Sequence, residues 1–362
     1  MSVDVSLFCT IVGGTVDIAV HEMKHDRSLG ELYKASGGPW GGTCVDENFL
    51  SFIRKIMGPD FLVEFARKEM SDYIDLLREF ETKKRIIKNS MDGKVTFKIP
   101  SSMLKMFEEN GGDVKRATVL SGFESHVSWV GEKLRVDPSL VKRFFDESIQ
   151  STLNHVRKLM SDPALRNVNT IILVGGFSEC ELVQDAFKHN FESNNIIIPE
   201  EGGLVILKGA VISGHVPKSI TTRIARFTYG IARRPIFDPN IHPIEKRIIS
   251  DGIDRCRNVF NKFVEIGEVL ETDHTISKRS FPLKAEQRIV NYRLYTSTEK
   301  SPRFSTDPSC RLLGKCTIPL PEGKTIDEKE VELSMTFGDT ELTLRVKHHK
   351  TGKEFKNYFT YE

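Results

Sequence analysis

The sequence predicts an α/β nucleotide-binding lobe followed by a β-sandwich-like region, and three observations carry that reading. Apolar strand-like runs alternate with amphipathic helical stretches through the first 216 residues, the pattern of an α/β layer fold. Two of those runs, 5–12 and 169–174, end on glycine pairs. Beyond residue 217 only short strand-like runs remain, separated by turn residues, which suggests a β-sandwich.

In order, residues 5–12 (VSLFCTIV) read as a strand, Gly13-Gly14 as a turn, and Thr15 to Met23 as a second strand. Residues 37–42 (GGPWGG) form another glycine-rich loop, and a helix begins near Asp46. The clearest helix is predicted over 61–88, where Leu62, Phe65, Ala66, Met70, Tyr73, Leu77 and Phe80 recur every three or four positions. Residues 94–100 read as a strand, and Ser101-Ser102 as the cap of a short helix. Asp137-Pro138 opens a long helix reaching about Met160. Residues 169–174 then form a buried-type strand, followed by Gly175-Gly176-Phe177-Ser178 and a further helix. A short strand at 196–198 and an apolar helix at 204–213 complete the first domain, set at 1–216 with a helical insertion at about 45–125. The second domain, 217–362, carries strands near 227–233, 288–297, 314–319, 330–337 and 341–347. Among its turn signals are Gly338-Asp339 and Thr351-Gly352.

The chain has 362 residues, too many for one compact core. Its 52 basic and 50 acidic side chains leave a net charge of +2, which gives no electrostatic reason to expect nucleic acid or a membrane as partner. No apolar run reaches the roughly 18 residues that span a bilayer, and the first residues lack the basic flank of a signal peptide. None of the six cysteines forms a CxxC pair; Cys310 and Cys316 are close enough in sequence to flag as a pair, while free thiols in a reducing cytoplasm are the default. Lys347-His348-His349-Lys350 reads as a basic hairpin tip rather than a metal site, and the arginines of 221–234 as flanks of an exposed strand rather than an RNA surface.

Three features point to chemistry. Gly13, Gly14 and Thr15 let backbone N–H groups approach an anion, since glycine removes the Cβ that would block it; an ordinary hairpin turn fits the same residues. Gly175-Gly176 sit where a strand passes into a helix, and ligands of α/β sheets collect at the carboxyl ends of strands. Glu81, Lys84 and Arg85 share one helical face at i, i+3 and i+4, which suits a ribose and a purine ring but also a solvated charged face.

In this order the three features resemble the second lobe of the heat shock 70 kDa ATPase family, within the actin and sugar-kinase superfamily, and in particular its divergent heat shock 70 kDa protein 12 subfamily. The resemblance covers residues 7–216 well and 220–362 more loosely. It implies that Gly13-Gly14-Thr15 is a phosphate motif, that Gly41 of Pro39–Asp46 approaches a phosphate, and that Glu81, Lys84 and Arg85 contact ribose and adenine. It further implies that Gly175 and Gly176 lie against the purine, that Phe177 can stack there, and that Lys208-Gly209-Ala210 belongs to the helix closing the nucleotide domain. Asp17 is the one residue it offers to a metal. The implied cofactors are ATP or ADP with Mg2+, and the implied partners are apolar or unfolded peptide clients and co-chaperones.

The sequence departs from the family pattern at several points. Thr10 stands where the family has a catalytic Asp, Val12 where it has a glycine, and Phe177 where it has a small polar residue. Gly202-Gly203 replace the usual Asp before the closing helix. Only twelve residues precede Gly13, so the first lobe of the family is expected to be absent and hydrolysis weak or lost. Two other readings stay open: a nucleotide-independent binding or scaffold module that keeps the fold, and a sugar-kinase relative, against which the β-rich tail argues.

Overall fold

The computed structural model describes residues 4–216, 219–250, 252–338 and 341–360. Asp339 of the expected Gly338-Asp339 turn lies outside them. The chain divides into two compact units, Met1–Glu22 with Ala35–Pro217, and Met23–Lys34 with Lys218–Glu362. The division is not a single cut, because Met23–Lys34 belongs with the second unit.

In the first unit, β1 (Val5–Ile11) turns back into β2 (Val16–Met23). β3 (Leu29–Gly38) follows, with its first residues in the second unit. Next come α1 (Gly42–Met57), α2 (Pro59–Lys68), α3 (Met70–Lys84), β4 (Val95–Lys98), α4 (Ser101–Glu109) and α5 (Val114–Leu120). The unit continues through β5 (Val127–Val130), β6 (Lys133–Val136), α6 (Pro138–Met160), β7 (Thr170–Val174), α7 (Glu181–Asn190), β8 (Asn195–Ile197) and α8 (Gly202–His215). β1 pairs antiparallel with β2 and parallel with β7, which pairs parallel with β8. β1 buries Val5, Leu7, Cys9 and Ile11, the period of two that a covered sheet face requires. β4, β5 and β6 form a separate three-stranded sheet.

An aromatic cluster ties α1, α3, β4 and α6 together. Phe49 stacks on Phe80 with ring centroids 4.1 Å apart, and Phe97 and Phe144 lie 5.3 and 6.2 Å from it. Such ring pairs add about 0.5–1.5 kcal/mol each beyond their buried area.

Several expectations need correction. The single helix over 61–88 is two helices, because Glu69 has φ −125° and ψ 55°. The break leaves Met70 exposed while Phe61, Leu62 and Phe65 are buried on one side of it and Leu76 and Phe80 on the other. Ser101-Ser102 do not cap α4; Pro100 holds that position, and the Ser102 hydroxyl bonds the Asp72 carboxylate. The insertion at 45–125 is not purely helical, since β4 lies within it.

The second unit contains β9 (Ile220–Ile224), β10 (Thr228–Arg233), β11 (Arg247–Ser250), β12 (Ile253–Cys256), β13 (Val259–Val264) and β14 (Val269–Glu271). It continues with β15 (His274–Ser280), β16 (Ile289–Ser297), β17 (Cys310–Pro319), β18 (Val331–Phe337), β19 (Glu341–His348) and β20 (Glu354–Thr360). Two four-stranded antiparallel sheets, β13-β10-β16-β17 and β15-β18-β19-β20, share one core. Tyr229, Ile231 and Leu294 of the first are buried with Leu333, Met335 and Leu344 of the second. Tyr229 meets Phe337 edge-on at 5.3 Å between centroids.

All six cysteines are free thiols. Cys310 and Cys316 lie on one strand, where six residues span about 20 Å, far beyond the ~7 Å that a disulfide bridges. The basic tip at 347–350 is shorter than expected: His348 still belongs to β19, is buried, and bonds the Pro319 carbonyl at 2.9 Å. Among the described residues, no helix is long and apolar enough to cross a membrane.

Candidate functional site

The parallel pairing of β1 and β7 brings their carboxyl ends side by side, with Thr10 opposite Val174 in register. Each strand leaves the sheet through glycine. After β7, Gly175 takes φ +96°, a conformation that L side chains rarely adopt. A Cβ there would stand 2.4 Å from the Ile11 carbonyl oxygen, so the close approach of the two strand ends itself requires glycine. Gly176, by contrast, faces open space.

After β1, Gly13 and Gly14 form an exposed turn with open space at both Cα atoms, closed by the Val12 N–H donating to the Thr15 carbonyl at 3.1 Å. The loop before α1 packs on this turn. The Gly42 and Thr43 amides donate to the Val12 and Gly13 carbonyls at 3.1 and 2.7 Å. Gly41 has no Cβ because one would lie 2.4 and 2.5 Å from those same two oxygens. The glycine therefore serves backbone packing at this position, and two amides at the start of α1 are already spent.

Phe177 and Lys84 complete the arrangement. A Cβ on Gly42 would contact the Phe177 ring at 3.5 Å and the Lys84 ammonium at 3.6 Å. Phe177 is only 9% exposed and lies parallel to Phe145 at 6.3 Å, so its ring is packed on the chain's own side chains. Lys84 is 7% exposed. Its Nζ reaches Asp46 at 2.7 Å, Glu81 at 2.5 Å and the Gly42 carbonyl at 3.4 Å. A buried ammonium needs such partners, because one left unpaired would cost several kcal/mol. Burial pushes the Asp46 carboxyl above the usual range, against the pull of Lys84. Burial pushes Glu81 up too, but hydrogen bonds from Lys84 and Arg85 hold it below the usual range. Arg85 is exposed and bonds Glu81 at 2.9 Å.

The N-terminus of α8 docks on the same corner. Gly175 N–H donates to the Gly202 carbonyl at 3.0 Å, and Gly203 N–H donates to the Glu179 carboxylate at 3.0 Å. Ser178 is fully buried, its hydroxyl donating to the Gly175 carbonyl at 2.6 Å. The start of α8 thus takes its carboxylate partner from Glu179, in the segment after β7.

The structure brings Gly13, Gly41, Lys84, Gly175 and Phe177 into one neighbourhood, with Glu81 joined through Lys84. Gly14, Thr15 and Gly176 flank it, and Arg85 lies at its exposed rim. Thr10 is on β1 in register with Asp17 on β2. Asp17 is exposed and accepts a hydrogen bond from the Thr15 hydroxyl at 2.9 Å. Among the described residues, no cluster of three His, Cys, Asp or Glu side chains is placed to hold a metal. Sequence reasoning missed Asp46, Ser178 and Glu179. Asp46 carried a usable signal, since it stands four residues after Gly42, one helical turn along the helix whose start packs against the Gly13 turn.

No protein-family profile matches the chain. Among curated proteins it is 33% identical over 359 residues to human heat shock 70 kDa protein 12A, covering 96% of this chain and 53% of that protein. The mouse 12A protein matches equally. Human heat shock 70 kDa protein 12B is 30% identical over 342 residues, covering 91% of this chain and 50% of that protein. The chain thus spans about half the length of the curated relatives it matches. A match that runs through both units makes this chain a homologue of the heat shock 70 kDa protein 12 proteins.

Proposed function

We propose that the first unit is an actin-like ATPase lobe of the heat-shock-70 type, which takes the adenosine end of ATP or ADP beside Gly175-Gly176 and Lys84. The observation that supports this most is the meeting of three loops distant in sequence, around Gly13, Gly41 and Gly175, at the carboxyl ends of two parallel strands. Glu81 and Arg85 at the rim would meet ribose and purine, and the open faces of Gly13, Gly14 and Gly176 would let a ligand reach backbone. A protein-held Mg2+ fits these residues poorly. Among the described residues Asp17 belongs to no group of three side chains that could hold a metal, and Asp46 and Glu81 are already engaged by Lys84. Magnesium would therefore arrive only with the nucleotide's phosphates.

Hydrolysis is weak or absent in this reading. Thr10 cannot act as a carboxylate would, and losing one preorganised electrostatic contact costs about 10²–10³ in rate. Apolar peptide clients, co-chaperones and a cytosolic setting are proposed through the relatives' family alone. A second reading, a scaffold that keeps the fold without nucleotide, is favoured by one feature: Lys84 is paired with Asp46 and Glu81, and Phe177 packs on Phe145.

Calorimetry with adenosine, AMP and ADP, each with and without magnesium, separates these readings. We expect weak and similar affinities for all three, lowered by Arg85→Ala. A strong magnesium-dependent preference for ADP would show a complete phosphate site and overturn the proposal. Absence of any binding would favour the scaffold.

A further inference from the structure

We propose that Thr306 is a phosphorylation site, and that its phosphate clamps the excursion between β10 and β13, residues 234–258, onto the loop between β16 and β17. Both segments belong to the second unit, so the site stands apart from the nucleotide reading.

The loop already sits on the base of the excursion. The Ser305 N–H donates to the Asn258 carbonyl at 2.8 Å, and the Phe260 N–H at the start of β13 donates to the Arg303 carbonyl at 3.0 Å. From the excursion, the Lys246 ammonium donates to the Thr306 hydroxyl at 2.6 Å and lies 4.8 Å from the centre of the Phe304 ring. The Arg303 guanidinium lies 5.5 Å from the same ring and donates to the Ile241 carbonyl at 2.7 Å. Burial pushes the Cys256 thiol up while Lys246 and Arg303 both pull it down, so the two charges act on one buried sulfur.

Among the described residues, neither cation makes an ion pair. The carboxylates nearby are turned to other work or stand apart. Asp254 is engaged by Arg247, and Asp238 accepts from Asn240. Asp307 accepts the Arg303 and Phe304 N–H groups, each at 2.9 Å. Glu245 is exposed, and only its backbone carbonyl is engaged, by Arg257 at 3.4 Å. Asp251 lies outside the described residues. A neutral hydroxyl is a modest partner for an ammonium. A phosphate on the same oxygen carries a charge of about −1.5 to −2 and further acceptor oxygens, and its charge-assisted bonds are roughly twice as strong.

Access singles out this hydroxyl. Thr306 is exposed, whereas the neighbouring Ser305 is only 5% exposed and the Ser309 hydroxyl is bonded by Ser297. Arg303 precedes Thr306 by one turn of chain and is itself exposed, the kind of charge pattern by which kinases choose substrates. In the transfer, the Thr306 Oγ1 bonds to the γ-phosphorus of ATP, the bond from that phosphorus to the bridging oxygen breaks, ADP leaves, and the hydroxyl proton passes to the kinase's base.

Two experiments on the full chain test this. In the first, the chain is incubated with magnesium-ATP and a purified serine/threonine kinase that selects for arginine upstream of its target, and the modified residue is mapped by mass spectrometry. We expect phosphate on Thr306. In the second, phosphothreonine is placed at position 306 during synthesis of the chain, and amide hydrogen exchange is compared with the unmodified chain. We expect residues 241–250 to exchange about tenfold or more slowly. That protection should be lost in Lys246→Met, reduced in Arg303→Gln, and kept in Lys246→Arg, Glu245→Gln and Asp251→Asn. The clamp is overturned if Thr306 stays unmodified by the kinase, if phosphothreonine leaves exchange in 241–250 unchanged, or if Lys246→Met keeps the protection. Loss of the protection in Asp251→Asn would overturn it equally, since removing a carboxylate cannot weaken an anion held by cations.

Discussion

At the scale of single residues, the glycines of the site do two different jobs, and the difference is measurable. Gly175 combines a left-handed backbone with a carbonyl oxygen 2.4 Å from where a Cβ would stand. Gly176, its neighbour, has open space. Gly175→Ala should therefore lose about 2–4 kcal/mol of stability through backbone strain and steric displacement. Gly176→Ala should stay within about 0.5 kcal/mol of the parent. Urea unfolding of the two variants checks this; equal losses would show that the two strand ends do not approach as closely as described. The sequence made the glycine pairs legible, because Gly-Gly after an apolar run is a local signal. It did not reveal that Gly41 is needed for packing against Val12 and Gly13, since that contact joins loops nearly thirty residues apart. The same limit hid Asp46 and Glu179: each matters through a partner distant in the chain, Lys84 for one and Gly203 for the other.

At the scale of elements, α8 is the clearest conflict between sequence pattern and surroundings. Its residues are apolar around the whole circumference, yet within the first unit only Gly202 is buried. A helix of that composition is ordinarily covered on all sides. A Cβ on its interior Gly209 would meet nothing within 4 Å, so the position carries the entropic cost of glycine without a steric need for it. Gly209→Ala should raise the urea midpoint, corresponding to about 0.5–1 kcal/mol, with no change in slope. A loss of stability instead would mean that the position is crowded. Other elements show where periodicity works and where it fails. α6 was legible from Asp137-Pro138 onward because its start signal and its apolar face agree. The break at Glu69 was not, since the apolar spacing continues through it and only the backbone angles interrupt the helix. β15 and β20 were missed because their polar residues outnumber the half-buried apolar ones that carry the alternation.

At the scale of the whole molecule, the loops around Gly13 and Gly41, nearly thirty residues apart, meet the loop around Gly175, more than a hundred residues further along, and we propose that the three form one nucleotide site in the first unit. The α/β character of that unit and the β-rich character of the second were readable from strand and helix alternation. The assignment of Met23–Lys34 to the second unit was not, because nothing local marks where a hairpin leaves one core for another. Amide hydrogen exchange with and without ADP shows whether the three loops share one ligand, since bound ligand slows exchange only where it covers or orders backbone. Saturating ADP should slow exchange together in peptides covering Gly13–Thr15, Gly41–Cys44 and Gly175–Ser178, and leave the second unit's sheets unchanged. Protection confined to one of these loops, or found only in the second unit, would contradict the claim.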